Sequence, residues 1–225
     1  MEFKVEGEYP VLKCIMKKGE TIKTSAGAMS WMDGEGFDVE VTTGGLMKGL
    51  GRMFSGESLF FSYYTAKYDN QEIAFASSLP GKIVNISMNG KSMIGQKSAF
   101  LASEKSVEFD TVFTKKLTAG MFGGEGFILQ KFSGTGELFL EADGSLFEYD
   151  LKNGESLLVD QGHVFLFEES VRYEIETVKG MKNVLFGGEG LFLVRLIGPG
   201  KVTLQSMPIA SLAARIIPFV PQKSS

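Results

Sequence analysis

Few side chains in this 225-residue sequence could carry out chemistry, because it contains one His, one Cys and one Trp. A Ser-His-Asp or Cys-His mechanism would have to use His163. His163 follows Asp160-Gln161-Gly162 and precedes an apolar run, a context that favours a surface or hydrogen-bonded residue over a catalyst. Asp160 and Glu125 could form a carboxylate pair for acid–base work, but nothing in the sequence places them together. We therefore predict no catalytic residue and a non-enzymatic protein.

The same counts limit metals and cofactors. A zinc or iron site built from Cys and His would have two ligands at most, which is too few. A cupin-type centre needs several His and is close to excluded. Cys14 lies in the strand-like run 11–16 and is expected to be a small, buried apolar residue. We predict no metal, no cofactor and no small-molecule ligand.

Composition and charge indicate a globular protein outside the secretory route. The apolar fraction of 44% is that of an ordinary folded domain. The formal charge of -4 argues against a nucleic-acid or anionic-membrane partner. Residues 1–7 alternate apolar and charged side chains and have no signal-peptide regions. No window approaches the run of about 18 apolar residues that a membrane-spanning helix needs. We predict a cytoplasmic protein.

An internal repeat is the strongest signal in the sequence. The segment 122–141 matches 186–205 at 9 of 20 positions, and Phe-Gly-Gly-Glu-Gly begins both. A second block, Asn89-Gly90-Lys91-Ser92, matches 153–156 at the same offset as the first. A fainter copy lies upstream. The first of the glycines that mark each copy, hereafter the marker glycine, therefore falls at positions 19, 90 and 154. We predict three copies of one unit of about 65 residues, spanning approximately 3–75, 76–140 and 141–208.

Within each copy the residue pattern is that of short strands. Val171, Tyr173 and Ile175 alternate with charged residues, whereas Val164–Phe167 is wholly apolar. Asn-Gly and Asp-Gly pairs punctuate the strands and suit tight hairpins. The pattern predicts an all-β sandwich or barrel, organised as a single domain over residues 1–225 because a lone copy would expose too many strand edges.

The repeated glycine-rich turns have two interpretations. Backbone N–H groups there could form an anion-binding nest, but no Gly-Lys-Ser/Thr follows and the Glu of each turn would repel phosphate. We favour structural turns. The residues are Gly124, Glu125, Gly126, Gly188, Glu189 and Gly190.

Two segments have helical rather than strand periodicity. The first, in the region 44–56, gathers apolar side chains on one helical face and is a possible contact for a protein partner or a membrane surface; its residues are Leu46, Met47, Leu50, Met53 and Phe54. The second is a short C-terminal helix at about 208–217, ended by Pro218. Each could bind a partner or membrane, or could cover an open end of the β core.

An ordered set of motifs over about residues 3–218 resembles the altered-inheritance-of-mitochondria protein 24 family. In chain order the motifs are Gly19-Glu20 with Ala26-Gly27-Ala28-Met29; Ser55-Gly56-Glu57-Ser58; Leu79-Pro80-Gly81-Lys82-Ile83; Phe132-Ser133-Gly134-Thr135-Gly136; Val159-Asp160-Gln161-Gly162; Gly187-Gly188-Glu189-Gly190-Leu191; and Gly198-Pro199-Gly200-Lys201-Val202 with Gln205. The resemblance implies a TRAP-like fold, a shortened double-stranded β-helix that tends to form oligomers. It also implies relatives linked to mitochondrial biogenesis, and it supplies no catalytic residue.

Three functional hypotheses follow. The leading one is a non-enzymatic, homo-oligomeric β scaffold that acts by protein–protein contact, at a membrane surface in envelope or stress maintenance. The second is a small-molecule-binding or enzymatic β-barrel, which a cavity with convergent polar groups would support. The third, an RNA-binding ring by fold analogy, is the weakest, because Lys91 and Lys105 align with Glu155 and Glu169 and the basic positions do not repeat.

Overall fold

The protein is described by a computed structural model that covers residues 1–44, 59–115, 127–177 and 192–220. These residues form nineteen strands and one α-helix, which confirms the predicted all-β class with a C-terminal helix. The strands are β1 Glu2–Glu6, β2 Val11–Met16, β3 Thr21–Ser25, β4 Trp31–Met32, β5 Phe37–Gly44, β6 Leu59–Ala66, β7 Gln71–Ala76, β8 Gly81–Ser87, β9 Met93–Gln96, β10 Phe100–Glu104, β11 Val107–Lys115, β12 Phe127–Gly134, β13 Glu137–Asp143, β14 Leu146–Leu151, β15 Ser156–Asp160, β16 Val164–Glu168, β17 Arg172–Thr177, β18 Phe192–Ile197 and β19 Gly200–Gln205. Helix α1 spans Ile209–Ile216, and 3-10 turns include Lys97–Ala99, Gln161–His163 and Ile217–Phe219.

The strands form where apolar side chains recur at the two-residue period of a pleated strand. In β2, Leu12, Cys14 and Met16 are fully buried while the residues between them are half-buried. In β16, by contrast, Val164–Phe167 is buried throughout, as the continuous apolar run predicts. Both predicted strand types are therefore present.

Contacts within the chain group into two compact units. Unit 1 comprises residues 1–92, 98–109 and 132–142, and unit 2 comprises 93–97, 110–131 and 143–225. Strands β11 and β12 each contribute several residues to both units, and β13 contributes its last residue, Asp143, to unit 2. The prediction of a single domain over 1–225 stays a prediction.

Unit 1 contains a four-stranded sheet of order β1-β2-β7-β4 and a six-stranded sheet of order β5-β6-β3-β10-β13-β8. Its core is formed by buried side chains of both sheets: Leu12, Cys14, Met16, Ile22, Phe37, Tyr64, Ala66, Ile73, Phe75, Ile83, Leu101, Ala102 and Phe139. Strand β1 pairs antiparallel with β2 and occupies its outer edge.

Unit 2 is built on a six-stranded sheet of order β11-β12-β9-β16-β19-β14 and a three-stranded sheet of order β15-β18-β17. Its core consists of Ile94, Phe127, Leu129, Leu151, Val159, Val164, Phe167, Val171, Val194, Leu196 and Val202. Strand β14 lies at one end of the six-stranded order, and β19 is its one partner among the described strands.

The two six-stranded sheets have the same strand order. Adding six to each strand number of the first gives the second, and adding twelve to β3-β6-β5 gives the three-stranded sheet. A register shift between Phe100 and Ala102 in β10 has its counterpart between Val164 and Leu166 in β16, at the offset of the internal repeat. Three tandem copies would produce this recurrence, while the copy boundaries themselves stay predictions.

The predicted tight hairpins at Asn-Gly and Asp-Gly are wrong. Asn89 and Gly90 do adopt the positive φ angles expected of them, 42° and 77°. However, the turn joins β8 to β9, which belong to different sheets, and Asp143-Gly144 likewise joins β13 to β14 in different sheets. The positive φ therefore reverses the chain between sheets, a role that local sequence cannot distinguish from a hairpin.

The C-terminal helix forms close to its predicted position, over Ile209–Ile216, and its two predicted roles, covering the β core or binding a partner or membrane, stay predictions. None of the α1 side chains is buried. Leu212 and Ala213 are half-buried, whereas Ile209 is 57% and Ile216 52% exposed. The apolar face of the helix is therefore largely directed to solvent.

Candidate functional site

The residues named from sequence as contacts and turns lie outside the described residues. This applies to Leu46, Met47, Leu50, Met53 and Phe54, and to Gly124, Glu125, Gly126, Gly188, Glu189 and Gly190. The carboxylate pair of Asp160 with Glu125 is untested for the same reason. The candidate sites below come from the described part of the chain.

His163 ends a 3-10 turn, and its hydrogen bonds are those of a structural residue. Its Nδ1 lies 2.8 Å from the carbonyl oxygen of Gln205, so Nδ1 carries the proton in this contact. Asp160 caps the same turn, because its Oδ1 accepts a hydrogen bond from the Gly162 N–H at 2.9 Å. Both residues thus fix the turn between β15 and β16.

Two glutamines complete this network: Gln96, which sequence reasoning missed, and Gln205, which it named in a motif without a structural role. Gln205 Nε2 donates to the Gly162 carbonyl at 2.9 Å, and its Oε1 accepts from the Asp143 N–H at 3.0 Å. Gln96 Nε2 donates to the Val164 carbonyl at 2.6 Å. Both ends of the Gln205 amide are therefore used. The available signal was the offset of the internal repeat, which relates Gln205 to Glu141.

Unit 1 has a cavity of about 390 Å³, hereafter the Glu141 cavity. It lies between the loop that follows β3, the end of β7 and strands β10 and β13. Its walls are Ser25, Ala26, Gly27, Ala28, Met29, Ser30, Ala76, Ser77, Ser78, Phe100, Leu101 and Glu141. Phe100 and Leu101 are buried, and the polar groups are four serine hydroxyls and one carboxylate. The cavity is open to solvent on one side, where Ala26, Gly27, Ser30 and Ser78 are exposed.

The Glu141 carboxylate uses its two oxygens unequally. Oε2 accepts the Ser78 N–H at 2.9 Å and lies 3.3 Å from the Ser77 hydroxyl. Oε1 has one contact of this kind, with the Ser78 hydroxyl at 3.4 Å. Across the cavity, Ser30 Oγ accepts the Ala76 N–H at 2.8 Å and Ser25 Oγ donates to the Phe100 carbonyl. Oε1 of Glu141 thus keeps most of its capacity to accept hydrogen bonds.

Lys23 is a second unusual group in unit 1, because its side chain is buried in an aromatic cluster. It is 6% exposed, and Nζ donates to the Val107 carbonyl. Nζ also lies 4.4 Å from the centroid of Phe109 and 5.6 Å from that of Phe61. Burial lowers the pKa of Lys23 to about 8, against the weaker opposing effect of Glu108.

Cys14 is buried at the centre of β2, as the sequence analysis predicted. Burial raises the pKa of the Cys14 thiol above its ordinary value, because the thiolate would lose its hydration. A thiol in this setting is a packing residue.

An apolar surface follows strand β14 in unit 2. Phe147 is 52% and Tyr149 42% exposed, and they face Leu204 and Val202 across the β14–β19 pair. Glu148 and Asp150 alternate with them and are exposed. The strand therefore combines a backbone edge that is unpaired within the described ranges, two aromatic side chains and two negative charges.

The described residues contain neither a cluster of metal ligands nor a membrane-spanning helix. No group of three or more His, Cys, Asp or Glu side chains there is arranged to hold a metal ion. Likewise, none of the helices in the described ranges is both long and apolar enough to cross a bilayer.

Known proteins similar to this chain identify its family. The sequence profile of the family described as Mitochondrial biogenesis AIM24 matches residues 3–207. The chain belongs to the AIM24 family. The resemblance drawn from the glycine-rich motifs is thereby confirmed.

Two proteins similar to this chain come from Streptococcus pyogenes. The uncharacterised protein M6_Spy0233, from serotype M6 (strain ATCC BAA-946 / MGAS10394), is 24% identical over 227 residues, which cover 97% of this chain and 90% of that protein. The crystal structure of protein SPYM3_0169 superposes with a TM-score of 0.75 at 23% identity, covering 97% of this chain and 99% of the other. This likeness shows that the fold is shared.

Proposed function

We propose that this AIM24-family protein is a non-enzymatic β scaffold that acts by protein–protein contact, and that its partner along β14 is a second copy of the chain. The observation that carries the proposal is the outer edge of β14, which no other described strand pairs with and which carries the exposed Phe147 and Tyr149. Exposed strand edges template pairing with another strand unless something covers them. A second copy of the chain carries such a strand and is present at the same concentration as the first.

Strand β1 supports the idea that this edge accepts a strand. Because the strand order recurs every six strands along the chain, β14 corresponds to β8 and to β2. In unit 1 the outer edge of β2 is occupied by β1 through a regular antiparallel register from Glu2–Ile15 to Glu6–Val11. The edges of β8 and β14 end their sheets among the described strands.

Charge favours β8 of one copy against β14 of the next. β14 carries Glu148 and Asp150, so two β14 strands would oppose like charges. β8 carries Lys82, which is exposed, and no acidic residue. Pairing β8 with β14 is therefore head-to-tail, a heterologous contact that produces either rings or open chains.

The test exchanges these charges. Glu148→Lys and Lys82→Glu should each weaken self-association about tenfold, because each opposes like charges across the contact. An equimolar mixture of the two variants should associate as the wild type does, since the contact is then complementary again. Light scattering and sedimentation velocity measure the assembly, with Glu8→Lys as the matched control on an exposed loop. Wild-type protein that stays monomeric at every concentration, or a mixture that fails to recover, contradicts the proposal.

A second candidate function, peripheral contact with an anionic lipid surface, has its own observation in α1. Ile209, Ile216 and Ile217 are more than half exposed, and Phe219 is 84% exposed. The segment 206–225 contains Arg215 and Lys223 and no acidic residue. An apolar helical face beside positive charge is the arrangement of interfacial helices.

Flotation with vesicles that contain anionic lipid tests this candidate. Ile216→Asp and Phe219→Asp should reduce the bound fraction, whereas Leu50→Asp tests the segment named from sequence. Equal flotation of wild type and both α1 variants excludes contact through α1. Loss with Leu50→Asp alone assigns the contact to the other segment.

A further inference from the structure

We infer that the Glu141 cavity binds a small primary alkylammonium ion, with the Glu141 carboxylate as its counter-ion. This site is independent of the β14 edge and of α1. Three observations carry it: the unequal use of the two carboxylate oxygens, the difference between Glu141 and Gln205, and the small residues that open the cavity.

The first observation concerns the free acceptor. Ser77 and Ser78 bind Glu141 from one side and leave Oε1 with a single long contact of 3.4 Å. Among the described residues, Glu141 forms no ion pair with Lys or Arg, although its side chain is partly buried. A half-buried carboxylate is stabilised by a cation, and an ammonium group supplies three N–H donors.

The second observation comes from the corresponding position. Gln205 occupies the position of Glu141 in the next copy of the repeat, as Lys201 occupies that of Glu137. The Gln205 amide is neutral, and it is bonded through both atoms to Asp143 and Gly162. Glu141 binds the neighbouring turn through Oε2, as Gln205 binds its turn through Oε1. The second atom differs, because Oε1 of Glu141 is a negatively charged acceptor whereas Nε2 of Gln205 is a donor. The charge at position 141 is therefore not needed for the turn.

The third observation is the space beside this carboxylate. By the spacing of the marker glycines, Ala26-Gly27-Ala28 occupies the position of Lys97-Ser98-Ala99 and Gln161-Gly162-His163. No atom lies within 4 Å of a Cβ built on Gly27. Small side chains thus border the opening, and the half-buried Ala28, Met29 and Ala76 form its apolar wall. A short hydrocarbon chain fits this wall, and a head group with N–H donors fits Glu141 and the serine hydroxyls.

The experiment titrates isotope-labelled full-length protein with n-butylammonium chloride and follows the backbone amide shifts. Saturable shifts are expected at residues 26–30 and 76–78. n-Butanol, which has the same carbon chain without the charge, should bind at least about tenfold more weakly, because a hydrogen bond to a charged group is the stronger kind. Glu141→Gln should weaken n-butylammonium binding by a similar factor and leave n-butanol binding unchanged.

A second variant keeps the test independent of Glu141. Ala26→Leu adds bulk to the wall and should weaken both probes, while the far-UV spectrum and the unfolding midpoint stay those of the wild type. The ammonium group could belong to a free amine or to a lysine side chain, and Nα-acetyl-lysine methylamide distinguishes the two. Tighter binding of n-butylammonium indicates a free amine, and tighter binding of the lysine derivative indicates a lysine side chain. Equal affinity for n-butylammonium and n-butanol, unchanged binding by Glu141→Gln, or the absence of saturable shifts overturns the inference. None of these results bears on self-association through β14.

Discussion

The Glu104 carboxylate accepts a hydrogen bond from the backbone N–H of Glu137 at 2.9 Å. At the corresponding position of the repeat in unit 2, Glu168 accepts the Lys201 N–H at 3.0 Å. Each Glu ends one strand, and each N–H lies at the start of the strand paired with it. The same contact therefore closes corresponding strand pairs in units 1 and 2.

Removing either carboxylate should have the same effect. Glu104→Ala and Glu168→Ala should each lower the free energy of unfolding by about 1–2 kcal/mol, because the backbone N–H of Glu137 or of Lys201 loses a charged acceptor. Urea unfolding measures the loss, and Glu8→Ala on an exposed loop is the control. A loss in one variant alone would show that the two contacts are not energetically equivalent.

Gly134 should tolerate no side chain. Its φ is +96°, and an added Cβ would lie 2.4 Å from the Ser106 carbonyl oxygen, so the backbone would have to move. Gly134→Ala should cost about 2–3 kcal/mol. Gly154 is the matched control, since its φ is +83° but its Cβ would meet no atom within 4 Å. Gly154→Ala should cost about 1 kcal/mol. Equal losses in the two variants would contradict the steric argument.

Lys23 should make stability rise with pH in the alkaline range. Below pH 8 the amine is charged in both the folded and the unfolded chain, and the penalty of its burial is fully present. Between about 8 and 10.5 the folded chain loses the proton first, so the penalty fades by on the order of 3 kcal/mol. Lys23→Met should abolish this rise.

The measurement is urea unfolding of wild type and Lys23→Met at several values of pH between neutral and 10.5. Lys82→Met removes an exposed lysine and should leave the slope unchanged. Burial also raises the pKa of Tyr63 and Tyr173, which adds the same background to all three proteins. Parallel curves for wild type and Lys23→Met would contradict the prediction.

Cys14 should react with thiol reagents only when the surrounding strands open. Its side chain is fully buried, and its raised pKa leaves almost no thiolate near neutral pH. A chromogenic disulfide reagent should give no signal with native protein and one thiol per chain in urea. Rapid labelling without denaturant would show that β2 opens locally in the native state.

Sequence periodicity was sufficient for the class of the fold and for several buried residues. Val164–Phe167 and Cys14 are buried as predicted, because the burial of a strand residue depends mainly on its local pattern. The pairing of the strands could not be predicted from the sequence. Asn89-Gly90 adopts the turn angles that its residues favour, but those angles do not determine whether the next strand joins the same sheet.

The candidate sites were harder to predict, because they depend on contacts distant in sequence. Lys23 lies far from Val107 along the chain, and Ser77 lies far from Glu141, so neither looks unusual in its own segment. Glu141 aligns with Gln205 in the repeat, and that difference was visible in the sequence. Only the coordinates show that it borders a cavity.

The chain passes between the two units five times, at 92–93, 97–98, 109–110, 131–132 and 142–143. During synthesis, unit 1 therefore cannot assemble all of its segments until residue 142 has left the ribosome. A single cut or a simple truncation cannot release either unit with all of its segments. Dissection of this protein into parts accordingly requires rejoined segments or circular permutation rather than a shorter gene.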